Sequence, residues 1–82
     1  MYYVYLLKID GGYKQYYIGY SSDLRQRVAA HSRGEVKTTK GKNPKLIYYE
    51  AYPDKHLAIQ REKGLKKSGS VYMALMKRLQ LK

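Results

Sequence analysis

Hydrophobic side chains over residues 2–9 alternate between two sides of an extended chain. Tyr3, Tyr5, Leu7 and Ile9 fall on one side; Tyr2, Val4, Leu6 and Lys8 fall on the other. Both sides carry apolar groups, so the pattern predicts a strand covered on both faces. Asp10-Gly11-Gly12 is a turn signal, and residues 14–20 are again rich in tyrosine and isoleucine. The two stretches therefore read as a β-hairpin. Ser21-Ser22-Asp23 offers a helix N-cap, which predicts a helix over 23–33 with Gly34 as its stop. Residues 35–45 form a basic, turn-rich loop, and residues 45–52 predict a third strand ended by Pro53. Asp54 caps a second helix reaching Lys67, with Gly64 near its end. Ser68-Gly69-Ser70 breaks it. Tyr72, Leu75, Met76 and Leu79 recur at helical spacing, which predicts a last amphipathic helix over 71–81 facing the core. The order β-β-α-β-α-α predicts an α+β fold: a small, mainly antiparallel three-stranded sheet flanked by helices, one domain over 1–82.

Some polar residues sit where this pattern expects apolar ones. Leu24, Arg27, Val28 and His31 share the spacing of one buried stripe, with Leu24 and Val28 expected against the sheet. Arg27 and His31 then lie four apart on the same side. A guanidinium and an imidazole aimed at a sheet need partners, because burying an unpaired charge is costly. The structural explanations are a snorkelling Arg27 paired with Asp23, and a hydrogen-bonded His31. In the second helix, Glu62 lies between Ala58 and Leu65 on the apolar side; its structural explanation is an i,i+4 pair with Lys66. Glu50 on the third strand competes with Glu62 as an inward carboxylate. Asp10, Asp23, Asp54 and Glu35 have local turn, cap or loop roles.

Charge adds the partner. The 82 residues include 17 Lys+Arg against 6 Asp+Glu, a net charge of +11. Such a chain attracts polyanions, and nucleic acid is the leading expectation. An anionic membrane ranks second, with neither an early basic amphipathic helix nor a lipidation motif to support it. No apolar stretch is long enough to span a bilayer, and the first residues do not read as a signal peptide. Cysteine is absent, which removes disulfides and thiol chemistry and fits a reducing, cytoplasmic compartment. All 11 aromatic residues are tyrosine. Strand propensity accounts for most of them, but phenylalanine would fill the same volume without a hydroxyl. Two sheet-facing tyrosines, Arg27, His31 and Glu62 would together make a titratable cluster, the mark of a candidate functional site.

These residues carry a resemblance. Tyr3-Val4-Tyr5, Tyr17-Ile18-Gly19, the stretch from Tyr20 through Arg27 to His31, Leu46-Ile47-Tyr48-Tyr49-Glu50, and Ala58 to Lys63 occur in that order. Over residues 2–67 the chain resembles the GIY-YIG nuclease family, in particular its small stand-alone bacterial members; residues 68–82 stand outside the resemblance as a helical extension. Tyr3 replaces the first motif's glycine. Tyr20 stands where some repair members have lysine, and Asn43 is the only asparagine, early rather than late in the fold.

The resemblance implies an endonuclease, of the kind used in DNA repair or recombination, with Tyr5, Tyr17, Arg27, His31 and Glu62 as catalytic residues and Glu62 as the metal ligand. Because Glu62 is the one well-placed carboxylate, a single divalent ion is expected, Mg²⁺ or Mn²⁺, completed by water and substrate phosphate. Arg27 would grip the scissile phosphate through its fork. Tyr17 or Tyr5 would take the proton of the attacking water, with His31 assisting by hydrogen bond or proton transfer. Gly19 would allow close approach of a substrate or a neighbouring strand. Lys37, Lys40, Lys42 and Lys45 would track the phosphates of DNA without reading sequence. The protein would be cytoplasmic, and on the nucleoid when bound. Two alternatives stand beside this reading: a binding module of the same fold with weak or no cleavage, and a different basic α+β nucleic-acid binder.

Overall fold

The computed structural model describes residues 1–11 and 14–81. Gly12 of the expected Asp10-Gly11-Gly12 turn, together with Tyr13, lies outside the described residues. The elements follow the order β1 (Tyr2–Lys8), β2 (Tyr16–Ser21), α1 (Leu24–Ser32), β3 (Lys45–Tyr52), α2 (Lys55–Lys67) and α3 (Gly69–Arg78). This is the α+β arrangement that the pattern predicts. β1 runs antiparallel between β2 and β3. Its central place explains why Val4, Tyr5, Leu6 and Leu7 are buried in succession rather than alternately. The pairing of β1 with β3 slips between Leu6 and Leu7, an irregularity that the alternation does not forecast.

The two sheet faces are covered differently. Val4, Leu6 and Ile18 join Ala58, Leu65, Leu75 and Met76 of α2 and α3 in the main core. Tyr5, Leu7 and Ile9 form a second, smaller cluster with Tyr17 and with Leu24 of α1. The helix stripe is rotated from its expected setting. Ala30 and His31 are the buried residues of α1, while Val28 is only half-buried. On the Tyr5 face, Leu46 and Tyr49 of the edge strand β3 stay exposed.

The caps are those the sequence announces. Asp23 accepts from the Gln26 N–H, and Asp54 from the His56 N–H. Gly34, at φ +73°, closes α1: its N–H bonds to the His31 carbonyl and that of Glu35 to Ala30. α3 begins two residues before the expected start, because Ser68 serves as its N-cap and accepts from Val71. It ends at Arg78 rather than Leu81. Gln80 takes the left-handed conformation there without a glycine.

Candidate active site

Tyr5 and Tyr17 lie on neighbouring strands and point to the face that α1 covers. Tyr5 is paired with Gly19, and Tyr17 with Leu7, so the two rings are diagonal neighbours with centroids 6.3 Å apart. The Tyr5 ring lies across Gly19. A Cβ on Gly19 would come within 2.3 Å of Tyr5 Cζ and its hydroxyl. The close approach that Gly19 permits is therefore that of a catalytic-candidate ring from the adjacent strand.

His31 enters from the last turn of α1 and is only 1% exposed. Its ring stands edge-on to Tyr5 and Tyr17, with centroids 5.6 and 5.1 Å away. Nε2 is 2.9 Å from the Tyr5 hydroxyl and Nδ1 is 2.7 Å from Oγ1 of Thr39. Thr39 is fully buried, although it belongs to the basic loop. The row Tyr5–His31–Thr39 thus ties β1, α1 and that loop together. Sequence reasoning missed Thr39: a threonine in Lys37-Thr38-Thr39-Lys40 has no periodicity to mark it as buried.

Arg27 sits one turn before His31, and the Tyr5 and Tyr17 hydroxyls raise its pKa above the ordinary guanidinium value. The Asp23 pairing does not form, because that carboxylate is used as the helix cap. Among the described residues no carboxylate lies within ion-pair distance of Arg27. Burial pushes the Tyr5 hydroxyl above the ordinary tyrosine value, although Arg27 pulls against that shift. Burial, reinforced by the Arg27 charge, lowers His31 and favours its neutral form.

Glu62 stands apart from this hydrogen-bonded group. It comes from α2, retains 20% side-chain exposure, and pairs with Lys66 at 3.2 Å. Its charge still bears on Tyr5, tending to raise that hydroxyl. Glu50, the competing carboxylate, is committed elsewhere. Both its oxygens accept from the Arg61 guanidinium at 2.9 and 3.0 Å, and Tyr48 and Tyr52 donate their hydroxyls to it. Among the described residues no group of three or more His, Asp or Glu side chains could hold a metal. The donor set fits a cation held by one carboxylate, with oxygen ligands from water and phosphate filling the rest.

Lys37, Lys40 and Lys45 are exposed, and Lys42 is half-buried. Lys42 joins Lys14, Lys66, Tyr16, Tyr17 and Tyr72 along an open groove of about 1010 Å³. The loop is folded onto the sheet end: the Asp10 N–H bonds to the Lys42 carbonyl at 2.7 Å, and the Asn43 amide donates to Asp10 at 3.3 Å.

The family model for the GIY-YIG catalytic domain matches residues 1–78, which takes in α3 as well as the stretch carrying the motifs. A UPF0213 protein of Streptococcus pneumoniae serotype 4 is 40% identical over 67 residues, covering 79% of this chain and 66% of its own length. One from Clostridium perfringens strain 13 is 39% identical over 69 residues, covering 82% and 72%. One from Halobacterium salinarum is 37% identical over 68 residues, covering 80% and 86%. The chain thus spans just under two thirds of the length of the streptococcal relative. No solved structure matches it significantly.

Proposed function

The chain belongs to the GIY-YIG family, and from that membership we propose that it is a metal-dependent endonuclease hydrolysing DNA phosphodiester bonds, with residues 1–82 acting as one domain. The observation that carries this reading is Arg27, electrostatically coupled to two tyrosine hydroxyls and without a carboxylate partner among the described residues. A guanidinium in that state has its fork available for a phosphate.

In the reaction, Arg27 holds the scissile phosphate and offsets the charge that grows on its oxygens. The Tyr5 or Tyr17 oxygen takes the proton of the attacking water as the new P–O bond forms. The bond from phosphorus to the departing oxygen breaks in line, and that oxygen is protonated from solvent. Glu62 would hold one divalent ion, Mg²⁺ or Mn²⁺, at the carboxylate that now pairs with Lys66. When bound, that ion supplies Lewis-acid stabilisation of the phosphate and the leaving oxygen. Lys37, Lys40, Lys42 and Lys45 contact flanking phosphates and add affinity without sequence readout. Cleavage then has low sequence specificity, and binding weakens steeply with salt. The net charge of +11 and the lack of cysteine suit work on the nucleoid in the cytoplasm, in repair or recombination.

The Glu62–Lys66 pair favours a second reading, a nucleic-acid-binding module that cuts weakly or not at all. An assay on DNA with Mg²⁺ or Mn²⁺ separates the two. Arg27→Ala and Glu62→Ala should each lower cleavage about a thousandfold, the scale of losing a phosphate-stabilising group, while retaining DNA binding at low salt. Equal, metal-independent background in the native protein and both variants leaves only the binding module.

A further inference from the structure

The sheet face that carries Tyr5 continues outward beyond the buried cluster. Tyr49 of β3 stands directly opposite Tyr5 in the ladder, so both side chains leave the sheet on the same side. Tyr5 is buried, whereas Tyr49 is 52% exposed. Tyr3, two positions before Tyr5 on the same side of β1, meets the Tyr49 ring edge-on at a centroid distance of 6.1 Å. Tyr3 is also the residue that replaces the glycine of the family's first motif, and that departure supplies the ring beside Tyr49. Leu24, Arg25 and Val28 of α1 and Leu46 of β3 complete an open hollow of about 490 Å³, within the size range of small-ligand sites. Core packing does not explain the two rings: among the described residues neither belongs to the two core clusters.

The charge around the hollow selects its occupant. Arg25 is exposed at the rim and has no ion pair among the described residues. Among the described residues the one carboxylate lining the hollow is Asp23, and it is spent as the helix cap on the Gln26 N–H. A second copy of this chain would bring another net charge of +11 to the same place and be repelled. A nucleotide offers what the hollow lacks, a flat ring joined to a negative charge. In a duplex each base is already stacked on both faces; an unpaired base has a face free for a tyrosine.

We propose that the Tyr3–Tyr49 hollow is a base-stacking subsite, which holds an unpaired nucleobase on the Tyr49 ring while Arg25 takes the adjoining phosphate. Because Tyr49 is the cross-strand neighbour of Tyr5, the stacked base belongs to a nucleotide beside the scissile phosphate. The preferred substrate is then DNA with single-stranded character at the cut, a free strand or a flap, rather than intact duplex. The position of the cut rests on the endonuclease reading; the binding of an unpaired base does not.

Fluorescence anisotropy tests the subsite without metal and without cleavage. The full chain is titrated against an end-labelled single-stranded oligodeoxynucleotide, and against the same strand annealed to its complement. Charge alone favours the duplex, whose phosphates are denser, so an effect confined to the single strand comes from stacking. Tyr49→Ala should weaken single-strand binding about tenfold, the scale of losing one base from an aromatic ring, while duplex binding changes far less. Tyr49→Leu, which keeps an apolar side chain on the strand but no ring, should lose as much, and Tyr49→Phe should restore native affinity. With a divalent ion present, the native protein should cut a free strand or a flap faster than intact duplex, and Tyr49→Ala should lose that preference. Native single-strand affinity in Tyr49→Ala or Tyr49→Leu overturns the proposal, as does an equal loss on the two probes. A native chain that sediments as a dimer, with Tyr49→Ala a monomer, also overturns it, because the face then belongs to a second copy. Should Tyr49→Ala fail to fold, Tyr49→Leu decides. If the native protein cuts neither DNA, the endonuclease reading fails while the anisotropy still reads the subsite. If it cuts and Tyr49 has no effect on binding, the subsite fails and the endonuclease reading stands.

Discussion

Two clusters of tyrosine and arginine lie on opposite faces of the sheet, made from nearly the same parts and left in different states. On the face covered by α2, Tyr48, Tyr52 and Arg61 all donate to one carboxylate, Glu50. Glu50 accepts four hydrogen bonds, and the positive charge of Arg61 is matched in place. On the face covered by α1, Tyr5, Tyr17 and Arg27 gather around an imidazole instead, which brings no negative charge to them. The first cluster is complete in itself and acts as a brace between β3 and α2. The second keeps a net positive charge and free hydrogen-bonding capacity, which are the properties a phosphate would use. The difference is one residue type at the centre of each cluster, a carboxylate against a histidine backed by a threonine.

The contrast is broken most severely at Gly19. Gly19→Ala drives a methyl group into the Tyr5 ring, at 2.3 Å from two of its atoms. The ring is enclosed and can yield only by displacing His31 and its neighbours. We expect a loss of about 3 kcal/mol, the upper part of the overpacking range, together with loss of cleavage. Denaturant unfolding of the variant checks the first and the DNA assay the second. If Gly19→Ala keeps native stability, the Tyr5 ring does not lie across β2, and the geometry of the cluster is wrong.

The brace should fail in the opposite manner. Glu50→Ala leaves Arg61 unpaired and removes the acceptor of two hydroxyls. Removing one partner of a fully buried ion pair costs several kcal/mol; with Arg61 29% exposed, we discount this to about 2 kcal/mol. Cleavage per folded molecule should be retained. A Glu50→Ala protein that is stable but inactive would reverse the roles assigned to the two clusters.

Acid and alkali sharpen the same comparison. Burial raises Glu50, but the bonds from Arg61, Tyr48 and Tyr52 outweigh it and hold the carboxyl below its ordinary value. A depressed carboxyl contributes stability above its unfolded value, about 4.3, and loses that contribution as pH falls through the native value. Tyr52 is pushed up to about 12 by burial and by its bond to Glu50. A raised hydroxyl stabilises the fold below about pH 10 and loses that contribution as pH climbs toward 12. His31, lowered chiefly by burial, binds a proton more readily in the unfolded chain. It therefore makes stability decline as pH drops below about 6.5. Unfolding free energy measured across this range should show a first acidic loss below about pH 6.5 and a second below about 4.3. Glu50→Gln should shrink the second loss, since Glu35 is held low by Arg33 as well, and soften the alkaline limb, to which burial of Tyr5, Tyr48 and Tyr72 also contributes, leaving the first. A single acidic transition that Glu50→Gln abolishes entirely would mean that His31 is not buried as a neutral ring.

The frame was legible in residues whose local chemistry is strong. The period-two alternation of β1, the caps Asp23 and Asp54, and the Gly34 stop all act within a few positions of themselves. The bounds of β3 match their expectation to the residue. The helix spacing also brought Arg27 and His31 to one side, and strand alternation brought Tyr5 toward the face they share. What could not be read was which of several candidate partners each polar group selects. Asp23 is placed both to bind Arg27 and to cap a helix, and the cap, which needs no long side chain to be ordered, prevails. Glu50 and Glu62 look alike as inward acids. Their fates depend on Arg61 and Lys66, across the sheet–helix interface in one case and along the helix in the other. Thr39 is the hardest case, because its burial follows from the path of a loop that has no repeating pattern. The rotation of α1 has a related cause: His31 finds hydrogen bonds at both ring nitrogens, and that outweighs burying Val28.

Gly64 offers the mildest test and the one most specific to function. It lies inside α2, two residues after Glu62 and two before Lys66, where a Cβ would meet nothing within 4 Å. Its φ is not positive, so no conformational demand requires glycine. An interior helical glycine costs about 1 kcal/mol against alanine, partly through the freedom it gives the unfolded chain. Gly64→Ala should therefore stabilise the protein by up to about 1 kcal/mol, a rise in Tm of about 4–8 °C for a domain of this size. A methyl group there disturbs neither cluster, so cleavage should stay at the native level. If the variant is more stable but cleaves poorly, the bare backbone beside Glu62 is a place where substrate comes close, and the reactive surface then extends from the tyrosine cluster onto α2. If stability does not rise at all, the added methyl group collides with something or α2 frays before Gly64, and the setting of Glu62 on a rigid helix no longer holds.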